Sequence, residues 1–436
     1  VGITVAVMRA AANTATGTQD FTTADMGGLT PKAALFIVTK AITDGVAAND
    51  VVISIGAATG VSNEWSAQGT GEHGVATTNN HNIQEGDRCI SVWFADTNAI
   101  DGDADFDSFI ADGVRVNWQN ALGSAYLVTV VLFGGTDLSA IAGFKGLGNS
   151  IQTVAITDIG FEADLVITAH ARRSIDQDIT SNQCCFGAVH NDGAGGVNQR
   201  NYIFRWQDNN TAGDPRAQIR SAEGIMQLRA NAIVDWVGVF QTFDASGFDV
   251  DIQTAGANGI DLLYLALNFG GAAKSFVGPV TSPTSIGNDA QTGPGFKPQF
   301  VMMGMSMLEA ENSPNLTNLA GSFGVSTFTP TAEFCNSVQS EDAAATTNEQ
   351  SISDNTAIEL PDDDGAAGLT ASFVSMDTTG WTLNYSAVEA SAKQFWALAI
   401  EEVAAAAGGR IMSSLAGPGG LASKGGIAGP GGGLAG

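Results

Sequence analysis

The chain has 436 residues, of which 44% are hydrophobic and only 14% charged, and its 45 acidic against 18 basic residues give a net charge of −27. That length leaves room for about three domains, each with its own core. The acidic excess argues against a nucleic-acid binder and against an anionic membrane surface as partner, because both need clustered Lys and Arg. Such a charge keeps a protein soluble and repels like neighbours, and it is read here as adaptation to a salty medium. The first residues, VGITVAVMRAAANTATG, lack a basic head followed by an adequate apolar run, so no secretory signal is read. The longest apolar run, Tyr126–Phe133, is too short to span a bilayer, and no membrane insertion is expected.

In chain order, the same four motifs recur three times at a spacing near 130 residues. The opening motif reads TPKAALFIV at 30–38, EADLVITA at 162–169 and KPQFVMMG at 297–304. Next come SIGAA at 54–58, CFGAV at 185–189 and SFGVS at 322–326. The third motif is FIADGVRVNW at 109–118, TFDASGFDVDI at 242–252 and SMDTTGWTLNY at 375–385. The copies close on AYLVTVVLFGG at 125–135, LLYLALNFGG at 262–271 and QFWALAIEE at 394–402.

Strict alternation in Val114–Trp118, Phe248–Ile252 and Trp381–Tyr385 predicts strands, each led by a glycine (Gly113, Gly247, Gly380) in a tight turn. The closing runs are apolar on both faces, as in the centre of a two-sheet core. The polar stretches 60–87, 190–215 and 336–368 read as loops, and the best helical candidate is the short segment Ala387–Ala392. The reading is therefore all-β: three tandem antiparallel β-sandwiches of jelly-roll-like type, with a closed barrel as the alternative. The expected units are 1–140, 141–272 and 273–403, followed by a glycine-rich tail at 404–436.

Candidate chemistry is sparse. Trp65 and Trp206, the latter close to Asn201, Gln207, Asn209 and Asn210, suit stacking on a surface polysaccharide, with core packing as the competing reading. Trp93 reads as core. Asp101, Asp103, Asp105 and Asp107 alternate in DGDADFD, and hard carboxylate ligands so close together suit calcium. Any metal is expected there, at Asp101, Asp103 and Asp105. Phe106 stands where a helix–loop–helix calcium site has glycine, so a solvated acidic loop is the simpler expectation.

Cys89, Cys184, Cys185 and Cys335 lack zinc spacing and read as buried thiols made in a reducing compartment. His73, His81, His170 and His190 are scattered, and no nucleophile elbow, phosphate loop or zinc-protease motif occurs. No cofactor and no enzymatic activity are expected.

The last residues, GGRIMSSLAGPGGLASKGGIAGPGGGLAG, carry a six-residue unit three times. Leu415, Leu421 and Ile427 lead the units, and Gly419–Gly420, Gly425–Gly426 and Gly431–Gly432 close them. Glycine pairs let neighbouring backbones approach closely, so these residues form a candidate assembly segment.

Tandem β-sandwiches, a low charge fraction and this glycine-rich ending resemble virion proteins of tailed bacteriophages. The tail is similar to C-terminal endings of such proteins from marine phages. The resemblance implies a non-enzymatic structural component: a tail fibre, tail-tip adhesin or other surface appendage. A head-decoration or tail-wall protein and a polysaccharide-degrading appendage are the alternatives. It further implies a homo-oligomer among other virion proteins, assembled in the host cytoplasm, with host surface polysaccharide as a possible target.

Overall fold

Almost every motif above becomes a strand: burial alternates in Gly113–Asn120 and Gly247–Thr254, whereas Ala33–Thr39 and Pro298–Ser306 are buried along their whole length. The computed structural model describes residues 2–403, apart from short stretches at 98, 172–173, 177–178, 181–182, 193–195, 212–215, 221, 230–232, 314–318, 328–331, 342–343 and 363–366. The tail therefore lies outside the described residues.

The first repeat contains β1 (Thr4–Ala11), β2 (Gly17–Thr22), β3 (Ala33–Thr39), β4 (Ala48–Asn49), β5 (Val51–Gly60), β6 (Asn63–Gly71), β7 (Asn80–Glu85), β8 (Ile90–Trp93), β9 (Ile100–Ile110), β10 (Gly113–Asn120) and β11 (Leu127–Gly134). The second contains β12 (Ser139–Leu147), β13 (Thr153–Ile156), β14 (Leu165–His170), β15 (Ile179–Thr180), β16 (Gln183–Asn191), β17 (Val197–Arg205), β18 (Arg216–Arg220), β19 (Ile225–Arg229), β20 (Ile233–Asp244), β21 (Gly247–Thr254) and β22 (Ile260–Asn268). The third contains β23 (Ser275–Thr281), β24 (Gly287–Gln291), β25 (Pro298–Ser306), β26 (Leu319–Thr327), β27 (Glu333–Ser340), β28 (Glu349–Asp354), β29 (Ile358–Pro361), β30 (Ala367–Asp377), β31 (Gly380–Ala387) and β32 (Gln394–Glu401).

Each repeat builds one large and one small antiparallel sheet, and the strand order is the same in all three. The large sheets run β1-β11-β3-β5-β6-β7, β12-β22-β14-β16-β17-β18 and β23-β32-β25-β26-β27-β28. The small sheets run β2-β10-β9-β8, β13-β21-β20-β19 and β24-β31-β30-β29. First strand pairs with last, and second with next-to-last, as in the nested pairing of a jelly roll; the strands between them run as meanders.

The motif glycines have a steric cause. A Cβ on Gly56, Gly187 or Gly324 would meet the carbonyl oxygen of Cys89, Gly224 or Ala357 at 2.0, 2.7 or 1.8 Å, where the small sheet crosses the large one. A Cβ on Gly113, Gly247 or Gly380 would meet the carbonyl oxygen of Phe21, Ile156 or Gln291 at 2.1, 1.8 or 1.7 Å. These three glycines open their strands directly after the hairpin turns. What they supply is close approach to the neighbouring strand.

The large sheets are buried on both faces. In β3, Ala34, Phe36 and Val38 pack against the repeat's own small sheet, while Ala33, Leu35 and Ile37 enter a second core. That second core is common to the three repeats: Leu165 and Ile167 of β14 and Phe300 and Met302 of β25 join it. A sandwich alone would bury one face. The two-sided apolar closing strands arise because β11, β22 and β32 contribute to a private core and to the shared one at once.

The repeats close head to tail into a ring. β12 packs on β5 and β6, β23 on β16 and β17, and β1 on β25, β26 and β27. Short arms follow the same sense: β4 pairs with β28 of the third repeat, and β15 pairs with β7 of the first. The corresponding arm of the third repeat reaches the second through Glu311, 3.2 Å from Arg200 on β17.

Two sequence expectations are corrected. The stretches read as loops contain β6, β7, β17, β27, β28 and β29. They look polar because Asn82, Gln84, Ser351 and Ser353 are buried at ring junctions, where they hydrogen-bond backbone and side chains of the adjacent repeat. Ala387–Ala392 is strand end and bend, and the one helical element among the described residues is a 3-10 turn at Ala24–Met26.

A repeat cut out of the ring should not keep its fold, because half of its large sheet would face water. The fragment 137–272 is expected to bind a hydrophobic dye and to lose near-UV circular dichroism. Native near-UV dichroism with cooperative urea unfolding of that fragment would contradict the shared core.

Candidate functional site

The alternating aspartates sit on a strand, not in a loop. Along β9, Ala104 and Phe106 face the private core, while Asp101, Asp103 and Asp105 share the opposite face, as period two requires. Each carboxylate has its own donors. Asp101 accepts from the Tyr126 hydroxyl at 2.7 Å and the Gly123 N–H at 2.8 Å. Asp103 accepts from Arg88 Nε and Asn120 Nδ2, both at 2.5 Å. Asp105 lies 3.0 Å from Arg88 Nη1 and accepts from Gln119 at 2.7 Å. The row is thus tied to one arginine and a set of neutral donors, and no described group of three His, Cys, Asp or Glu could hold a metal ion.

Trp65 and Trp206 are not surface rings. Both are fully buried in the shared core, so neither face is open to a sugar. The Trp65 indole N–H donates to the Tyr264 carbonyl of the second repeat at 2.8 Å. Trp206 ends a ladder, Tyr202, Phe204 and Trp206, whose Phe204–Trp206 ring centroids stand 4.7 Å apart. At the matching places of the first repeat stand Ala67, Gly69 and Gly71 of β6, and a Cβ on Gly71 would meet Asn80 Oδ1 at 2.6 Å and Glu349 Oε2 at 2.8 Å. Leu415, Leu421, Ile427 and the paired glycines Gly419, Gly420, Gly425, Gly426, Gly431 and Gly432 lie outside the described residues.

The four cysteines and His170 are turned inward. All four cysteines are free and buried, and burial pushes their thiol pKa values up. Burial also lowers His170 to about 4; its Nε2 lies 2.8 Å from the Met226 carbonyl oxygen.

A cleft of about 370 Å³ between the second and third repeats is lined by Asp164, His190, Asp192, Lys274, Phe276 and Phe296 among others. Its polar groups already have partners. His190 Nδ1 is 2.7 Å from Ser275 Oγ, which itself donates to the Asp164 carbonyl at 3.1 Å. Asp164 Oδ2 accepts from the Phe269 N–H at 2.5 Å, and Lys274 lies 3.4 Å from Glu401. Ser275 is 6% exposed and its proton is committed to a carbonyl, so the pair is not poised for nucleophilic attack.

Two polar devices were not read from the sequence. The first is Arg9 on the first strand, whose side chain is 3% exposed. Its guanidinium lies 2.6 Å from Asp44 and donates to the carbonyls of Cys335 at 2.6 Å and Asp354 at 2.9 Å, closing the ring between first and third repeats. It also stands 4.7 Å from the Phe334 ring centroid.

The second is a cap repeated three times. The hairpins β9–β10, β20–β21 and β30–β31 each carry one extra residue, Asp107, Gln241 and Val374, and the N–H just before it leaves the ladder. A side chain from the large sheet takes that N–H: Glu64 accepts from Phe106 at 2.7 Å, Gln199 from Phe240 at 2.9 Å and Glu333 from Phe373 at 2.6 Å. Unequal turn lengths ahead of the caps hide this match. The cap stands eight, twelve and nine residues after Gly56, Gly187 and Gly324.

Comparison with protein-family models, with curated proteins and with solved structures finds no match. No described helix is long and apolar enough to cross a membrane.

Arg9→Ala would leave Asp44 and two buried carbonyls without their cation. Losing this charged donor from the two carbonyls should cost about 1–3 kcal/mol, read as a lower urea midpoint at unchanged slope. A midpoint equal to that of the parent protein would show that the clamp is dispensable.

Proposed function

We propose that the protein is a non-enzymatic structural component of a phage virion, the folded head of a tail fibre, tail-tip adhesin or related surface appendage, fixed to the particle by its glycine-rich tail. The observation that supports this reading is the closed ring of three sandwiches in one chain. The ring brings the two ends of the described chain together: a methyl group on Gly2 would meet the Val403 side chain at 3.0 Å. The arms and the β6–β7 type connections stand at the other end of the sheets, where the Ala41 carbonyl accepts from Leu127 and the Leu308 carbonyl from Gln394. A body with attachment at one end and loops at the other suits display on a surface. The buried thiols and the buried His170 favour a structural role over catalysis.

A head-decoration or tail-wall protein is the second reading, favoured by the same ring, whose three-part outline matches a threefold-related site on a shell. In both, Leu415, Leu421 and Ile427 with their glycine pairs form the contact with other subunits. Ordering that segment costs on the order of 1–2 kcal/mol per residue, so several partners must bind it at once.

Deleting 411–436 is expected to leave the ring folded and to abolish incorporation into particles, measured by quantitative mass spectrometry of purified virions. Normal incorporation would overturn the tail's role. The same measurement on the full chain separates the readings: a few copies per particle for an appendage, tens to hundreds for a decoration or wall protein. Release of reducing ends from host polysaccharide by the pure protein would overturn both.

A further inference from the structure

Asn258 and Gly259 form the one Asn–Gly pair in the sequence. They stand between β21 and β22, with Asn258 exposed in a bend and Ile260 opening β22. Among the described residues, neither the Asn258 side-chain amide nor the Gly259 N–H makes a hydrogen bond. A following glycine has no Cβ to hinder its own nitrogen, so that nitrogen can reach the asparagine Cγ. Packing fixes the glycine, since a Cβ on Gly259 would meet the Leu147 carbonyl oxygen at 2.6 Å.

Other asparagines lack this combination. Asn149, Asn312 and Asn336 are each followed by serine, the next smallest hindrance. Asn149 Nδ2 donates to the Ala257 carbonyl at 3.3 Å, and Asn336 is buried in β27 with its amide on Thr129 Oγ1 at 3.2 Å. Asn312 is exposed like Asn258 and serves as the internal comparison.

We propose that Asn258 is a self-modification site, at which the folded protein turns a side-chain amide into a carboxylate through a cyclic imide with Gly259. Hydroxide takes the Gly259 amide proton, and the nitrogen attacks Asn258 Cγ. The new N–Cγ bond forms as the Cγ–Nδ2 bond breaks, and Nδ2 leaves as ammonia after taking a proton from water. A solvent water then opens the ring at either carbonyl. Opening at Cγ gives ordinary aspartate. Opening at the main-chain carbonyl gives isoaspartate, with the chain running through Cγ. One amide and one water become one carboxylate and one ammonium, and nothing is oxidised or reduced.

Isoaspartate lengthens the main chain by a methylene just ahead of β22. No slack exists there. Gly259 is pressed on the Leu147 carbonyl, and Ile260 pairs with Leu147 in the private core of the second repeat. The partner strand β12 packs on β5 and β6 of the first repeat. Ageing at Asn258 therefore loosens the second repeat where it meets the first.

The test ages the full folded chain in warm, mildly alkaline buffer, with a second sample held in urea. Peptide mass mapping locates each converted asparagine, and labelling by an isoaspartate methyltransferase reports the rerouted linkage. Conversion at Asn258 should outrun that at Asn312, Asn149 and every other asparagine of the folded chain, and methyl labelling should rise with it. Asn258→Gln should abolish the labelling, because the larger ring closes far more slowly. Asn258→Asp carries the new charge on a normal chain, so the aged parent should show a lower urea midpoint than this variant. Conversion of Asn258 in urea but not in the folded chain would overturn the proposal, as would faster conversion at Asn312.

Discussion

Burial of the large sheets on both faces is the constraint on which the rest depends. An antiparallel sheet in a sandwich can leave one face wet, and then polar and apolar residues alternate. Here β3, β11 and their counterparts have no wet face, because the second face meets the other two repeats in a shared core. Four consequences follow: the apolar closing strands, the packing of each first strand on the preceding repeat of the ring, the exchange of arms, and the Arg9 clamp where first and last repeats meet. The outer strands β7 and β28 are each paired over two residues by β15 and β4, which covers part of those edges.

Enclosure places polar side chains where hydrophobicity alone would not. Asn82 donates to the carbonyls of Ala171 and Gln183, and Ser351 donates to that of Asp50 and accepts from the Val52 N–H, at matching places in two junctions. These bonds are specific in direction, so they set the rotation of one repeat against the next, while the apolar core supplies most of the burial energy. The ring is threefold in outline but unequal within. The second repeat carries Tyr202, Phe204 and Trp206 at the places where the first carries Ala67, Gly69 and Gly71. That difference ties each repeat to its place in the order.

The elements with a strong period were legible: the alternating strands led by Gly113, Gly247 and Gly380, and the all-β class with sandwich architecture. The polar strands β6, β7, β17, β27 and β28 were not, because their burial comes from another repeat far along the chain. Trp65 and Trp206 misled for the same reason. Asn and Gln neighbours suggest a surface, yet here they flank a buried indole. The aspartate row has the composition of a turn, and its period of two, visible in DGDADFD, was the signal for a strand. Glu64, Gln199 and Glu333 could be matched only after superposing the β-bulges, since the turns before them differ in length.

A core drawn from three repeats has a consequence for synthesis. The first large sheet is complete at Gly134, but its second face is not covered until β32 ends at Glu401. At about 5–20 residues per second, the nascent chain presents an open apolar surface for roughly 15–50 s. During that interval the chain depends on whatever shields such surfaces in the cell. Once the last strand is in place, ring closure is intramolecular and independent of protein concentration, unlike a trimer that must find its partners. Yield should therefore respond to translation rate and chaperone supply far more than to expression level.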